Sequence, residues 1–556
     1  MKKIAKFLIV LGMIGQLSSC DYLDIVPDER AQESDTWKTE GAVRGYLYSC
    51  YGYLPANRTF GNSYWLAEEL TAVTKELFTT FKYGYYSPVS LGFTSNTWST
   101  IWNGIHQCYM FQESLKQVSN EYVTDEMKKQ YLAESNFLIA YYHFLSMRSY
   151  GPTMIIRSVI DLETPISGFP ERSSIDEVVA FINEKLDEAM SEGGLPTTWS
   201  GKDYGRATRL AALALKSRVY LYAASPLYNG NTEMYADFRS PLDGRQLIAQ
   251  EKSQAKWEIS ATQTKYAIDE VEKAKFHLYH DADAGEPSDA KPGLPNKAQR
   301  RLRYTNIDNQ TGNNPEIIWA DTRNDDYYGI QRRCPPRQTL GGKFAGISMT
   351  NCPTLQTIEA FYTKNGLPIN KDKTFDYDER YEYISAPENC DGNNYEDLVK
   401  YANFTPSSDK VMRLCTDREP RFYAWTTYHN GYFEFGKYNN EEISADPAKR
   451  AIRIHLLRDD PHGRGNRTDQ EYSISGFGNK KGVVPSAEWN VIEYPFPLFR
   501  LAELYLNYAE ALVELDRLSE AKVYLDKVRE RAGIPSVDEA WDKYSTNPGY
   551  QNTQEG

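Results

Sequence analysis

Aromatic residues cluster in turn-rich parts of the chain, where they could form stacking contacts with a ligand. Tyr83, Tyr85 and Tyr86 lie together ahead of Trp98, and further groups occur near positions 64 and 327. Aromatic faces stack on sugar rings, while amide, carboxylate and guanidinium groups bind polar substituents. The candidate ligand contacts are Tyr64, Trp65, Tyr83, Tyr85, Tyr86, Asn324, Asp326, Tyr327, Tyr328 and Arg332. Packing within the loops would use the same residue types, so both roles stay open for each residue.

Histidine and acidic residues offer few arrangements with metal-binding spacing. His277 and His280 could share a helix face and bind a metal with Asp281 or Asp283. Histidines near the negative C-terminal end of a helix explain the same spacing. The run from Asp281 to Gly285 also lacks the later ligands of a calcium loop. We therefore expect neither a metal site nor a cofactor.

Recognisable catalytic motifs are missing from the sequence. It contains no G-x-S-x-G, H-E-x-x-H, P-loop or G-x-G-x-x-G pattern. A glycoside hydrolase would need two carboxylates that face each other across a cleft, and 76 acidic residues leave that alternative open. A purely structural surface protein is a second alternative. We expect a binding protein without catalytic activity.

The composition is that of an acidic, tyrosine-rich chain. The 556 residues carry a formal net charge of −13, which argues against nucleic acid as a partner. The chain contains 42 tyrosines, 22 phenylalanines and 10 tryptophans. Many of these must pack in the core, but such a surplus also suits a protein that binds flat, polar ligands.

The N-terminal sequence predicts export and lipid anchoring. Three lysines and an apolar stretch at residues 7–14 form a signal peptide, too short to span a bilayer as a mature helix. The LSSC sequence at residues 17–20 resembles the bacterial lipobox, although an ordinary signal peptide with an incidental cysteine is the alternative. We predict removal of residues 1–19 and lipidation of Cys20, which would anchor the mature chain 20–556 to a membrane.

The remaining cysteines lie in a chain that we expect to be exported, so disulfides become feasible. Cys334 and Cys352 each precede a proline in a loop-rich stretch and are the first pair to test. The sequence has no C-x-x-C motif, which argues against a zinc or thioredoxin-like site.

Apolar periodicity predicts helices towards both ends of the chain. The predicted helices span 38–54, 98–119, 125–149, 174–191, 205–224, 255–276, 498–515 and 519–532. The last two form the clearest pair, with Ser519 as the expected N-cap of the second helix and Gly533 as its stop. Alternating residues favour short strands at 317–319 and 452–456. The pattern predicts a mainly α fold with tetratricopeptide-like helix pairs.

Several sequence blocks, in this order behind the lipobox, resemble the SusD/RagB family of nutrient-uptake lipoproteins from Bacteroidota. The blocks are residues 20–27 (CDYLDIVP), 37–40 (WKTE), 150–152 (YGP), 205–208 (GRAT), 314–319 (NPEIIW), 417–422 (DREPRF) and 500–511 (RLAELYLNYAEA). Trp98 and Trp102 lie on a helix that resembles a core element of the family. We therefore expect them, and Trp319, to pack in the core.

The resemblance implies a cell-surface lipoprotein of the outer membrane that binds nutrient oligomers and delivers them to a SusC-like TonB-dependent transporter. Glycans are the expected ligands, and peptides, as in RagB-like members, are the alternative. A single SusD-like domain is expected, with a helical scaffold at about 36–280 and 498–532 and a loop-rich, ligand-binding insertion at about 281–497. Family members usually continue beyond the last helix pair, so we expect that this chain, which ends at Gly556, is truncated.

Overall fold

The computed structural model describes residues 37–56, 68–72, 87, 94–161, 163–289, 291, 297–308, 312, 314–323, 329–336, 349–385, 410–434, 437–438, 441–442, 445–446, 451–465, 472–485 and 491–556. Helices dominate this part of the chain, and its strands are short, which confirms the predicted mainly α class. None of the helices within these ranges is long and apolar enough to cross a membrane.

Each helix predicted from the sequence is present, and most ends differ by only a few residues. The helices are α1 Glu40–Tyr51, α2 Thr94–Leu115, α3 Asp125–Tyr150, α4 Ile175–Ala189, α5 Arg209–Ala224, α6 Thr232–Tyr235, α7 Gln254–Lys273, α8 Asp281–Ala284, α9 Lys297–Ile307, α10 Ile330–Arg333, α11 Leu355–Ala360, α12 Pro420–Trp425, α13 Leu501–Glu514, α14 Leu518–Ala532 and α15 Val537–Tyr544. Helix α15, which begins after Ser536, was not predicted because its apolar pattern spans little more than two turns.

Side-chain caps fix where several scaffold helices begin. The hydroxyls of Thr124 and Thr208 accept hydrogen bonds from backbone N–H groups in the first turns of α3 and α5. Ser174 and Glu177 form a capping box at the start of α4. These contacts satisfy N–H groups that have no partner inside the helix, so the sequence determines the helix starts locally.

Helix α3 lies at the centre of the helical core. Its residues 133–147 are all buried, which requires packing partners around the whole helix. Helices α2 and α4 pack along it, α5 packs against α4 and α7, and α13 packs against α7 and α14. The C-terminal pair therefore completes the same core as the helices of the first half of the chain.

The C-terminal helices α13 and α14 confirm the predicted pair. Leu501, Tyr505 and Leu512 are buried on α13, as the apolar spacing predicts. Leu506 on the same helix is 42% exposed, although the apolar residues Ala502, Leu506, Ala509 and Val513 share a second face whose spacing also predicts burial. Leu506 shares the solvent-facing side of the helix with Glu510, because residues four apart lie on one face.

The turn between these helices differs from the prediction. Helix α14 begins one residue before Ser519, whose predicted role as N-cap is therefore wrong, and no side chain caps this helix. Asp516 makes the turn with a left-handed φ of 59°. Gly533 ends α14 in the left-handed conformation, with φ of 78°, as predicted.

Short antiparallel pairs connect distant parts of the chain. The strands are β1 Leu70–Thr71, β2 Thr153–Met154, β3 Arg172–Ser173, β4 Ile317–Asp321, β5 Cys352–Pro353, β6 Tyr383–Ser385, β7 Lys410–Met412, β8 Thr426–Tyr428, β9 Tyr432–Glu434, β10 Lys437–Tyr438, β11 Glu441–Glu442, β12 Ala451–Arg453, β13 Phe477–Asn479 and β14 Phe496–Arg500. Strand β4, predicted at 317–319, pairs with β14, which leads directly into α13. This pair joins the middle of the chain to the C-terminal helices.

The strand predicted at 452–456 is shorter than expected. It ends at Arg453, and beyond Ile454, whose N–H still donates to the carbonyl of Gly431, the backbone N–H groups donate to side chains instead. The N–H of His455 donates to the His462 ring, and the N–H of Leu456 donates to the His429 ring.

Within the described residues, three further buried apolar clusters lie outside the helical core. One is formed by residues between 279 and 496, a second by residues between 358 and 477, and a third by Leu367 and residues of α15. The domain division at about 280 and 498 stays a prediction.

Cys334 and Cys352, the first pair to test for a disulfide, are not joined by one in the structure. The amide of Asn479 donates to Cys334 Sγ at 3.3 Å, and Cys352 Sγ donates to the carbonyl of Thr71 at 3.5 Å. The two thiols are thus held by separate neighbours on β13 and β1.

The packing of α13 predicts how two leucines on the same helix differ. Leu512 is fully buried, so Leu512→Ala should lower the free energy of unfolding by about 2–5 kcal/mol through lost contacts and a new cavity. Leu506→Ala should change it by no more than about 0.5 kcal/mol. Urea unfolding of both variants measures this difference, and equal midpoints would show that the C-terminal pair is not packed as described.

Candidate functional site

A cavity of about 520 Å³ lies between the helical core and the strand that leads into α13. Helices α3 and α5 form one side, and β14, the end of α9 and the segment after β13 form the other. The lining residues are Pro55, Tyr141, Leu145, Arg148, Ser149, Arg218, Tyr222, Asn306, Lys481, Gly482, Tyr494, Phe496, Pro497, Leu498 and Arg500. Both its size and its mixed apolar and polar lining are typical of ligand pockets.

Arg500 is held at the cavity by a buried carboxylate. Its guanidinium donates to Glu316 Oε1 at 2.6 Å, and Arg531 from α14 donates to Glu316 Oε2 at 2.5 Å. The backbone N–H of Tyr279 donates to the same Oε2 at 2.9 Å. Burial raises the pKa of Glu316, but Arg531 and Arg500 outweigh this effect and leave it below the ordinary value. Glu316 is therefore ionised and fixes the position of Arg500.

A second buried carboxylate, Glu434, orients the segment after β13. Arg303 on α9 donates to Glu434 at 3.1 Å and to the carbonyl of Val483 at 2.9 Å. Lys480 Nζ lies 3.5 Å from the same carboxylate. These contacts join α9 to the segment 480–483, so that Asn306 and Lys481 both face the cavity.

Arg218 on α5 has its charge compensated outside the cavity. Its guanidinium forms two hydrogen bonds of 2.6 Å with the carboxylate of Glu503 and lies 4.1 Å from the centroid of the Phe499 ring. Burial lowers the pKa of Arg218, but Glu503 raises it above its ordinary value. Arg218 and Arg500 are thus cations with carboxylate partners.

Lys481 and Arg148 line the cavity without such partners. Within the described ranges, neither side chain has a carboxylate at ion-pair distance. Lys481 Nζ lies 4.6 Å from the Trp425 ring centroid, and the Arg148 guanidinium lies 5.8 Å from the Phe144 centroid. Burial lowers the pKa of Lys481 to about 8, and the positive charges of Arg500 and Arg421 act in the same direction. The charged form of Lys481 is therefore destabilised by its surroundings.

Tyr494 and Gly482 hold the backbone beside Lys481. The Tyr494 hydroxyl donates to the carbonyl of Gly482 at 2.8 Å. Gly482 has a φ of 79°, in the left-handed region, where a side chain would be strained. The Asn479 side chain accepts from the Lys481 N–H and donates to its carbonyl. The position of the Lys481 side chain at the cavity is therefore set by its backbone.

Asn306 supplies a polar group that the fold does not use. The residue is only 8% exposed, and its Nδ2 has no hydrogen-bond partner among the residues described. A buried amide without a partner costs roughly 1–3 kcal/mol. Because Asn306 lines the cavity, a ligand oxygen could accept this hydrogen bond.

Two smaller cavities, of about 300 and 370 Å³, lie around Arg206. Arg206 is bound by the buried Glu134 and by Asp203, and its guanidinium stacks 4.1 Å from the Trp199 ring centroid. Its charge is therefore already satisfied within the protein, unlike the charges of Lys481 and Arg148.

Most residues predicted as ligand contacts lie outside the described residues. This applies to Tyr64, Trp65, Tyr83, Tyr85, Tyr86, Asn324, Asp326, Tyr327 and Tyr328, and to the lipidation site Cys20. Arg332 is described and lies on α10, where it is 7% exposed and does not line the cavity. The predicted set is therefore not assembled within the described part of the chain, and its role stays a prediction.

The tryptophans expected in the core are packed in it to different degrees. Trp319 is 2% exposed. The ring of Trp102 is partly buried against the helical core. Trp98 is also partly buried and makes edge contacts with Trp102 and Tyr150, at centroid distances of 5.3 and 4.9 Å.

The histidines with metal-like spacing lie beyond the end of a helix. Helix α7 ends at Lys273, so His277 and His280 follow it in an extended connection, with their rings stacked at 5.7 Å. His277 Nε2 lies 3.4 Å from Asp283 Oδ2.

Within the described ranges, one group has ligand atoms close enough to hold a metal ion: His429, His455 and Asp460, within 4.8 Å of one another. The N–H of Leu456 donates to His429 Nδ1 at 3.1 Å, and the N–H of Leu457 donates to Asp460 Oδ2 at 3.0 Å. These hydrogen bonds use the imidazole and the carboxylate to stabilise the loop, so we assign no metal to the group.

Sequence reasoning missed the cavity residues Arg148, Asn306 and Lys481. The sequence around Lys481 and Gly482 has no motif, and the cavity arises only when α3, α9 and β14 come together. One signal was present, because Arg500 begins the block at 500–511 and Glu316 lies in the block at 314–319. These two blocks meet through the Arg500–Glu316 ion pair.

Two family models match the chain, one on each side of its middle. Residues 315–555 match the model described as SusD family, and residues 21–221 match the model described as "Starch-binding associating with outer membrane". Together the two matches cover most of the chain, including the helical core and β14. The chain belongs to the SusD/RagB family. No curated protein matches it.

Solved structures of SusD-like proteins share the fold. The structure named BT4246 is 28% identical, with a TM-score of 0.72, and the match covers 90% of this chain and 83% of that one. A SusD-like protein (BF3747) from Bacteroides fragilis is 20% identical, with a TM-score of 0.63 and coverage of 92% and 82%. A SusD-like carbohydrate binding protein (BF0978) from the same organism is 18% identical, with a TM-score of 0.57 and coverage of 90% and 80%.

Proposed function

We propose that this SusD/RagB protein is a cell-surface lipoprotein that binds nutrient oligosaccharides and delivers them to a SusC-like TonB-dependent transporter in the outer membrane. The match of residues 21–221 to a family described as starch-binding and associated with the outer membrane carries the proposal. The sequence at residues 17–20 supports the lipid anchor, and the family supports the transporter as partner.

The chemistry of the cavity also favours binding over hydrolysis. Its lining combines the aromatic residues Tyr141, Tyr222, Tyr494 and Phe496 with hydrogen-bond donors. No Asp or Glu occurs among the described lining residues, whereas glycoside hydrolysis needs a pair of carboxylates across the bond. A peptide-binding, RagB-like role is the second candidate, and a direct comparison of peptides with oligosaccharides separates the two.

The anchor predicts that one substitution releases the protein from the membrane. Cys20→Ala removes the thiol that would carry the lipid, and without acyl chains the apolar anchoring energy is lost. We expect the variant in the soluble fraction and the parent protein in the outer-membrane fraction. Cys50→Ala, at a buried cysteine in α1, is the matched control and should stay membrane-bound. Equal partitioning of both variants, with no lipid on the N-terminal peptide by mass spectrometry, would contradict the anchor.

Binding should strengthen with oligomer length, because each added ring gains contacts without repeating the full cost of association. Calorimetry of the chain from residue 21 onward should therefore detect longer oligosaccharides and only weak binding of monosaccharides. Replacing one predicted loop aromatic, such as Tyr83, by alanine should cost roughly 1–3 kcal/mol of binding free energy.

The control for that variant is Tyr266→Ala, which removes an exposed tyrosine from helix α7 and should leave affinity unchanged. Product analysis accompanies each titration. Shortening of the oligosaccharide with time would show that the protein hydrolyses its ligand. Full affinity after loss of Tyr83, Tyr85 and Tyr86 together would show that the ligand contacts other residues.

A further inference from the structure

The cavity is basic although the protein as a whole is acidic. The formal net charge of the chain is −13, yet four cationic side chains and no carboxylate occur in the described lining. Two of these cations, Arg218 and Arg500, have carboxylate partners in Glu503 and Glu316, although Glu316 is shared with Arg531. At least two positive charges therefore remain to attract a ligand, and a concave site strengthens such an attraction.

Three of the remaining polar side chains offer hydrogen-bond donors. Lys481 and Arg148 carry positive charge without a carboxylate at ion-pair distance in the described structure, and Asn306 offers a buried Nδ2 without an acceptor. Ligand oxygens, above all charged ones, would satisfy these donors, because hydrogen bonds between ionised groups are the strongest that a site can form. The described donors of the cavity are therefore suited to an anionic group of a ligand.

We propose that this cavity binds an acidic sugar unit, whose carboxylate or sulfate group is bound by Lys481, Arg148 and Asn306. The proposal rests on the proposed function, since it names the chemical class of oligosaccharide that the protein captures. It also explains why aromatic residues and cations without a described carboxylate partner occur in one cavity: the rings contact the sugar, and the cations bind its acidic group.

A sugar fits this lining better than an acidic peptide does. Each peptide unit brings an N–H donor that needs an acceptor, while Lys481, Arg148 and Asn306 Nδ2 offer donors. Sugar hydroxyl groups can accept hydrogen bonds as well as donate them. A cavity of about 520 Å³ holds only a short part of an oligomer, which suits recognition of one acidic unit within a longer chain.

The ionisation of Lys481 supplies an independent readout. Its pKa is lowered to about 8 by burial and by the charges of Arg500, Arg421 and Arg531, while Glu69 acts in the opposite direction. Above this pKa the ammonium loses its proton, so affinity for an acidic oligomer should fall as the pH rises from 7 to 9. A bound anion would raise the pKa of Lys481, so binding near pH 8 should take up protons.

The test compares oligosaccharides that differ only in charge. The probes are a galacturonic acid oligomer and its carboxyl-reduced, neutral counterpart of the same length and linkage, titrated calorimetrically into the chain from residue 21 onward. A sulfated oligosaccharide tests the second source of negative charge, and pentaglutamate tests the acidic peptide. We expect at least one acidic oligosaccharide to bind tenfold or more tightly than the neutral oligomer, about the value of one charge-assisted hydrogen bond.

Three variants assign the effect to the cavity. Lys481→Gln should weaken binding of the acidic oligomer about tenfold more than binding of the neutral oligomer, and should abolish the pH dependence of acidic-oligomer binding. Arg148→Gln, on the last turn of α3, should also weaken binding of the acidic oligomer but keep its pH dependence, because that dependence comes from Lys481, and it provides a second variant if Lys481→Gln fails to fold. Lys116→Gln removes a surface lysine that is 62% exposed and should change neither affinity.

The outcomes separate this inference from the proposed function. Equal binding of charged and neutral oligomers, unaffected by Lys481→Gln and Arg148→Gln, would overturn the acidic preference while leaving oligosaccharide binding intact. Binding of pentaglutamate as tightly as the acidic oligosaccharides would overturn the sugar class. If no oligosaccharide of any charge binds, the proposed function fails and the inference fails with it.

Discussion

The structure depends on one buried carboxylate, Glu316. It is fully buried, and its oxygens accept hydrogen bonds from Arg500, Arg531 and the backbone of Tyr279. These partners come from β14, α14 and the segment before α8. A buried charge costs several kcal/mol unless such partners compensate it, so the four parts of the chain are stable only together. Glu316 also begins the segment that becomes β4, which pairs with β14 and thereby continues into α13.

The cavity follows from this constraint. Arg500 is turned towards Glu316, and β14 then carries Phe496 and Leu498 along the cavity wall. The buried Glu434 fixes the opposite side through Arg303 and Lys480, and so positions Asn306 and Lys481. The fold thus uses its buried carboxylates to neutralise the cations that hold it together. Other cations at the cavity have no carboxylate partner among the described residues, which is the physical basis for the proposal of a negatively charged ligand.

The sequence was sufficient to predict the helical core but not the cavity. Helix α13 could be predicted because Leu501, Tyr505 and Leu512 repeat with helical spacing, which is a local property of the chain. The prediction of Ser519 as an N-cap was wrong, because Asp516 makes the turn and the helix already begins at Leu518. A residue type that favours caps therefore lies inside the first turn. Lys481 and Asn306 could not be predicted, since nothing local distinguishes them from surface residues. Their role depends on a burial and a pairing that only the tertiary contacts create.

The stability of two glutamate variants tests the role of Glu316 most directly. Glu316→Gln preserves the shape of the side chain but leaves Arg500 and Arg531 without their negative partner. It should lower the free energy of unfolding by about 3–5 kcal/mol. Glu258→Gln breaks the exposed pair with Arg517 and should cost no more than about 1 kcal/mol. Urea unfolding of both variants should therefore separate them clearly, and a Glu316→Gln variant as stable as Glu258→Gln would contradict the account.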